Sequence, residues 1–369
     1  MTAPPSRRRL WQRVIGLLRA CFWPPWALGV SGMVAALAWA WGPALLDWAW
    51  WSAVWRPDAE ACQAVRGQGA CWGVVAEKHR LILLGRYPQE LAWRPVLATV
   101  LLLGAVAGAL WPPAAAGGTS MGRRVGLAVC GLCGAVFLLH GWPGAQAWGL
   151  GVVETDRWGG LPLSLLLSAG ALVAALPLGT AVAVGRREGG PVLRRVLAWG
   201  VELVRGLPLV AVLFTASFLF PLWWPGATAP DVLLRVWLAM TLFATAYLSE
   251  TIRAGLQALE VGQQLAGASL GLPRRAIYRW ILLPQALIRM VPALVNSAIG
   301  LFKDSALVTV VSLYELTGSL GLALQGDPVW RPFLLEGTLF ITALYFAGCA
   351  GLSAAGRALE ARWTLRRGR

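Results

Sequence analysis

Apolar residues run along this chain in long blocks separated by short polar segments. The blocks predict about eight membrane-spanning helices, near residues 27–46, 96–111, 125–140, 161–184, 203–220, 232–249, 281–302 and 332–353. The longest polar interruption in the C-terminal half runs from Glu250 to Pro284. In it Leu256, Leu259, Gln263, Ala266 and Leu270 recur at steps of three and four, near one face of a helix, with Leu265 beside them. Gly271-Leu272-Pro273 breaks that pattern, and Arg274, Arg275 and Arg279 follow. A plain connection could be far shorter, so this segment reads as a docking surface.

Other intervals carry weaker signals. Residues 47–95 form a mixed loop in which Trp48, Trp50, Trp51 and Trp55 read as an interfacial belt. The run Arg80 to Gly85 is too short to span and reads as an interfacial helix or a support packed on the bundle. Gly104 and Gly108 fit a close helix contact. The segment from Lys303 to Glu315 has an apolar centre and polar ends, the pattern of a half-helix or re-entrant piece. The first span is too long, and followed by too many others, for a cleaved signal peptide.

Composition agrees with the pattern. Hydrophobic residues make up 57% of the 369 positions and charged ones 13%, against about 25% charged in an ordinary soluble domain. The fold class is therefore all-α, a polytopic membrane helical bundle. The net charge of +15 invites a nucleic-acid partner, but the basic residues are nearly all arginines gathered in short segments between apolar blocks and at the termini. That is the positive-inside pattern, and the partner it implies is the lipid bilayer. Segments 1–26, 112–124, 185–195, 250–280 and 354–369 hold 20 of the 32 basic residues, so eight spans put both termini in the cytoplasm. The loop 47–95, with six basic residues outside, is the exception; long loops follow the rule poorly.

Candidate chemistry is sparse. His79 and His140 sit in no metal-ligand spacing, there is no HExxH or G-x-S-x-G, and no catalytic, cofactor or metal residue is assigned. Neither lysine follows a glycine, so the chain has no Walker-type phosphate loop. If ATP powers transport, ATP and its magnesium belong to another subunit. Charged and amide groups at membrane depth are Glu202, Arg205, Arg235, Arg289, Asn296, Lys303 and Asp304. Glu202 with Arg205, and Lys303 with Asp304, read as ion pairs ahead of transport contacts, and Asn296 as a solute contact or a helix-packing amide. Cys62 and Cys71 share one polar loop; a disulfide, if that loop faces an oxidising compartment, and two free thiols both fit. Cys130 and Cys133 lie in an apolar run and read as packing residues.

The organising loop resembles the cytoplasmic loop of ABC-importer permease subunits, whose motif is E-A-A, four residues, G, nine residues, I-x-L-P. Gly271, Ile281, Leu283 and Pro284 match at that spacing and Ala266 holds the last alanine, while Gln264 and Leu265 replace the first two residues. The phrases Glu202-Leu203-Val204-Arg205-Gly206-Leu207-Pro208, Ser249-Glu250-Thr251-Ile252-Arg253-Ala254-Gly255, Leu283-Pro284-Gln285-Ala286-Leu287 and Leu301-Phe302-Lys303-Asp304-Ser305 are similar to the polar amino-acid branch. Gly69-Ala70-Cys71-Trp72 and Leu84-Gly85-Arg86-Tyr87-Pro88 resemble the M subunit of general L-amino-acid importers. The resemblance implies a type I permease core at 161–357, preceded by a basic N-terminus (1–26) and an extension (27–160), and followed by a basic tail (358–369). It implies transport of L-amino acids of broad specificity across a bacterial inner membrane. The implied partners are an ABC ATPase dimer, a related Q-type permease subunit or a second copy, and a periplasmic amino-acid-binding protein. ATPase coupling falls to Gly262, Gln264, Ala266, Gly271, Pro273, Arg274, Arg275, Ile281 and Pro284. A salt bridge made by the usual glutamate is closed to Gln264. A stand-alone secondary transporter or channel, and a polytopic membrane enzyme, are the competing classes; the docking loop argues against the first and the missing catalytic motifs against the second.

Overall fold

The computed structural model describes residues 25–110, 121–223 and 229–367. The N-terminal arginines Arg7 to Arg19, the loop 112–120 and the last two residues, all used in the topology reading, lie outside these ranges. The chain divides into two compact units, Met1–Glu77 and Lys78–Arg369.

In the first unit, α1 (Pro25–Leu46) is apolar on every side and ends in a π-turn, Asp47–Trp51. A small polar fold follows. Asp58 caps the short helix Ala59–Ala64 by accepting from the amides of Glu60 and Ala61. Cys62 and Cys71 are joined in a disulfide, Cα–Cα 5.4 Å. Val54 pairs with Cys71 in an isolated bridge, and the Trp72 indole donates to the Ala49 carbonyl at 2.8 Å. Gly69 is small of necessity, since a Cβ there would run into the Ser52 carbonyl. Tryptophans of this unit pack on one another: Trp55 lies between Trp50 and Trp72, with ring centroids 5.1 and 6.0 Å away.

The second unit is built on α4 (Gly160–Glu188). Before it come α2 (Trp93–Leu110) and α3 (Met121–His140); after it come α5 (Pro191–Gly206), α6 (Val232–Gln257), α7 (Val261–Ser269), α8 (Val291–Asp304), α9 (Leu316–Gln325) and α10 (Leu334–Arg367). The main core joins Leu163, Leu167, Ala171 and Ala175 of α4 to Val236, Met240, Ala244 and Leu248 of α6, with Leu213, Leu301, Val308 and Val311. A second cluster sets Ala98 and Leu102 of α2 against Ala135 and Leu139 of α3 and Leu165 and Leu166 of α4.

Among the described residues six helices are long and apolar enough to cross a membrane, or seven if a bent pair crosses as one. The fold class is as expected and the count is lower for two reasons. The apolar part of α3 is only Val125–His140, about 24 Å long at 1.5 Å per residue, short of the roughly 30 Å of a bilayer core. The fifth expected span is two helical pieces, Pro191–Gly206 and Leu209–Leu222, bent by 103° where Leu207-Pro208 interrupts the ladder. The seventh begins later than the apolar block does, at Val291, and ends at Val311. Residues 303–315 form no separate half-helix: a 3₁₀ turn, Ser305–Val311, extends α8, Ser312 turns the chain at φ 65°, and α9 starts beyond Glu315.

Small residues mark the helix contacts, at positions other than those expected. A Cβ on Gly104 or Gly108 would meet nothing within 4 Å. The close approach of α2 and α3 is at Gly131, against Ala105. Gly348 and Gly356 of α10 likewise receive Phe302 and Val295 of α8, at 2.7 and 2.8 Å from a built Cβ. The run Arg80 to Gly85 ends the helix Gly73–Leu84, and Gly85 takes φ 66° against the backbone of Gly159.

Arg94 is fully buried and caps the C-terminal end of α3. Its guanidinium donates to the carbonyls of Leu138 (2.5 Å), Leu139 (3.2 Å) and Gly151 (2.8 Å), and the Tyr87 hydroxyl donates to Leu139 as well. The Leu138 and Leu139 carbonyls lie in the last turn and have no amide further along the helix, so a cation is held where the helix end is partially negative. Arg94→Met leaves the Leu138 and Gly151 carbonyls without their Arg94 bonds, at about 1–3 kcal/mol each, while Leu139 keeps Tyr87. The unfolding midpoint of the detergent-purified protein is expected to fall by at least about 5 °C, and by less in Arg94→Lys.

Candidate functional site

The organising loop is two helical pieces folded against the end of α4. The single face expected from Leu256 to Leu270 is interrupted, because α6 ends at Gln257 and α7 begins at Val261. Leu256 and Leu259 are buried in a cluster with Ala183 of α4, Ile252 of α6 and Ile277, Tyr278, Leu282 and Ala286. Ala266 and Leu270 are exposed instead. α7 meets the cluster through Gly267, where a Cβ would come within 3.0 Å of Ile277. A nine-residue helix resting on a glycine leaves its larger apolar side chains outside, Val261 65% and Leu265 63% exposed, and Leu270 just past its end is 80% exposed.

Gly271 closes α7 at φ 72°. Its amide donates to Ala268 at 2.9 Å and that of Leu272 to Gly267 at 3.2 Å, the paired bonds of a Schellman turn. Pro273 then starts a helical stretch over 274–289 that contains the π-turn Ile277–Leu282. Ile281 is half-buried and Pro284 exposed.

Polar contacts tie the loop at both ends. Arg187 donates to the Leu256 carbonyl (3.0 Å) and to the Gln264 side-chain oxygen (3.2 Å), with its guanidinium 6.0 Å from the Tyr278 ring centroid. Glu188 accepts from the Tyr278 hydroxyl at 2.7 Å and pairs with Arg274 at 3.6 Å. Arg186 pairs with Glu250, which Arg253 also holds at 2.7 Å. Gln285 donates to Gln263, and Arg289 to the Ala258 carbonyl. Arg186, Arg187 and Glu188 entered the sequence reading only as topology charges, although their position one turn from a helix end beside an acid was a signal for ion pairing. Gln264, closed to a salt bridge of its own, is an acceptor for Arg187. Arg275, Gly262 and Pro273 are exposed.

The residues singled out at membrane depth are dispersed. Glu202 and Arg205 form no salt bridge; Arg205 lies over the Tyr247 ring at 5.5 Å. Lys303 and Asp304 form none either, as adjacent helical residues point apart. Asn296 is exposed. A fully buried carboxylate of this unit, Glu315, is one that sequence reasoning missed. Glu315 accepts from the amides of Thr317 and Gly318 at 2.9 Å, from Ser164 of α4 at 3.2 Å and from Tyr345 of α10 at 2.7 Å. Among the described residues no group of three or more His, Cys, Asp or Glu could hold a metal ion.

Burial, then the bond to Glu188, pushes the Tyr278 phenol above its ordinary range. The neutral form is favoured by folding, so its contribution is complete below the usual phenol pKa of about 10 and is lost as pH rises through the folded value. Tyr278→Phe removes one hydrogen bond to a charged acceptor, worth about 1.5 kcal/mol. Faster amide exchange across 274–289 at neutral pH, with the Gly160 end of α4 unchanged, is the expected result.

Comparison with known proteins places these features. Residues 175–365 match the family described as the binding-protein-dependent transport system inner membrane component. The chain is 35% identical to the inner membrane amino-acid ABC transporter permease protein YhdY of Escherichia coli, over 89% of this chain and 86% of that protein. It is 32% identical to the glutamate/glutamine/aspartate/asparagine transport system permease protein BztC of Rhodobacter capsulatus, over 79% of this chain and 76% of that one. A probable glutamine ABC transporter permease protein of Bacillus subtilis, GlnP, is 32% identical over 93% of its length but only 56% of this chain.

Proposed function

The chain belongs to the inner-membrane components of binding-protein-dependent transport systems, and we propose that its cargo is L-amino acids of several kinds, carried from periplasm to cytoplasm. It is the non-catalytic permease subunit of an ABC-type importer in a bacterial inner membrane, and a separate ATPase supplies the energy. The cargo reading rests on relatives whose names specify amino acids, one of them four different ones.

The observation that carries the coupling role is the outward apolar side of α7. Val261 and Leu265 stay exposed on the side of a short helix turned away from Gly267 and Ile277, and Leu270 stays exposed just past its end. Exposed apolar side chains grouped on one polar loop fit a protein partner, and the ATPase is the partner that an importer brings to this side. Gly262, Gln264, Ala266, Gly271, Pro273, Arg274, Arg275, Ile281 and Pro284 belong to this surface or hold it in shape. In this reading the second permease is a related Q-type subunit or a second copy of this chain, and a binding protein delivers the amino acid from outside. Counting α3 and the bent pair as crossings returns eight spans with both termini cytoplasmic, in line with the arginine-rich segments.

Two experiments test this reading. Affinity purification from gently solubilised native membranes is expected to recover an ATPase and a second, related permease; recovery of this chain alone, under conditions that preserve a known importer, overturns it. At Gly271 a Cβ would meet nothing of the chain within 4 Å, so Gly271→Asp is expected to retain insertion. Its carboxylate falls on the docking surface, in a backbone conformation that costs about 1 kcal/mol without glycine. Amino-acid uptake is expected to be abolished, and normal uptake would defeat the coupling role.

A further inference from the structure

We propose that Arg187 and Glu188, at the end of α4, are the positioning pair through which the docking loop moves the first helix of the transport core. The inference rests on the importer reading above and adds which helix receives the stroke, and through which side chains.

The loop has three parts, and these two residues hold all of them. Arg187 reaches the last turn of α6 through the Leu256 carbonyl and α7 through Gln264. Its guanidinium faces the Tyr278 ring in the helical stretch 274–289. Glu188 takes the Tyr278 hydroxyl and faces Arg274 at the start of that stretch. One residue earlier, Arg186 binds Glu250 of α6. A displacement of α7 alone strains the Arg187–Gln264 bond, and a displacement of the whole loop cannot leave the end of α4 behind without also breaking the bonds of Arg187 to Leu256 and of Tyr278 to Glu188. Hydrogen bonds to charged groups are the stronger class, and these are half-buried.

The far end of α4 is held as firmly. The Gly160 amide donates to the Tyr314 carbonyl at 3.0 Å and to the Ser319 hydroxyl at 3.1 Å, and Ser164 donates to Glu315. Glu315 also caps α9 and binds Tyr345 of α10. The helix that carries both grips has 29 residues, about 43 Å at 1.5 Å per residue. Their flank is packed on α6 closely enough that a Cβ at Gly179 would sit 3.1 Å from the Ser249 amide. Pro177 removes one bond of the helix ladder at its middle, but Ala171 and Ala175 before it and Ala183 after it are packed in buried clusters with residues of α6, so the two halves are carried together by that close-packed flank. α4 thus connects the loop to the junction of α9 and α10.

The test uses the complete importer, with its ATPase, both permease subunits and binding protein, reconstituted in vesicles. The quantity read is ATP hydrolysed per amino acid imported. Arg187→Gln is expected to raise this ratio at least about fivefold while ATP hydrolysis continues, and Arg187→Lys to give an intermediate value. Arg195→Gln, an exposed arginine of α5, controls for loss of charge and is expected to leave the ratio unchanged. A purely structural role would reduce the amount of assembled importer without changing the ratio. An assembled Arg187→Gln importer with the wild-type ratio overturns the proposal. If that variant does not assemble, Arg187→Lys and Tyr278→Phe decide, and wild-type ratios in both overturn it. A wild-type preparation that binds no ATPase defeats the importer reading itself, a result distinct from an assembled but fully coupled variant.

Discussion

A polar group enclosed by apolar helices and lipid must find its partner inside the protein, because no water is at hand to replace it. That requirement organises the second unit of this chain. Glu315 is fully buried and accepts four hydrogen bonds, drawing together the start of α4, the start of α9 and the side of α10. Arg94 is equally buried and gives its protons to three carbonyls at and beyond the end of α3. Each group holds elements far apart in sequence.

Between such polar fixtures the helices are matched by size. Where two of them come close, one side offers a glycine and the other a bulkier group: Gly131 to Ala105, Gly348 to Phe302, Gly170 to Trp237. Lipid tails are as apolar as leucine, so close van der Waals contact, rather than burial from water, holds such pairs together. The same device seats α7. Its contact residue is Gly267, and the short helix sits low on Ile277 with its larger apolar side chains turned away. The docking surface thus results from how the helix is seated.

Much of the site was legible before any coordinates. The break at Gly271 was visible as Gly-Leu-Pro, and the turn has the positive φ that glycine permits. The membership of Ile277 to Ala286 in one buried cluster was harder to see, because a π-turn shifts the register that a 3.6-residue period assumes. The expected face from Leu256 to Leu270 failed for a related reason: periodicity runs on across a three-residue turn that the backbone does not continue as a helix. The ion pairs were misassigned where only sequence neighbours were considered. Arg205 found the ring of Tyr247, and Arg187 found Gln264, 77 positions away.

By itself the sequence determined the class of the protein. Some spans must be helices because twenty apolar residues in lipid have few other ways to satisfy their backbone, and the loop had to be special because it spends polar residues where a short turn would serve. Only the tertiary structure decided which apolar blocks are single helices, where the fifth bends, and which charges pair. Hydropathy is a property of each residue with its near neighbours. A buried carboxylate such as Glu315, or a grip such as that of Arg187 and Glu188, depends on partners brought from distant parts of the chain, and those partners exist only once the helices have packed.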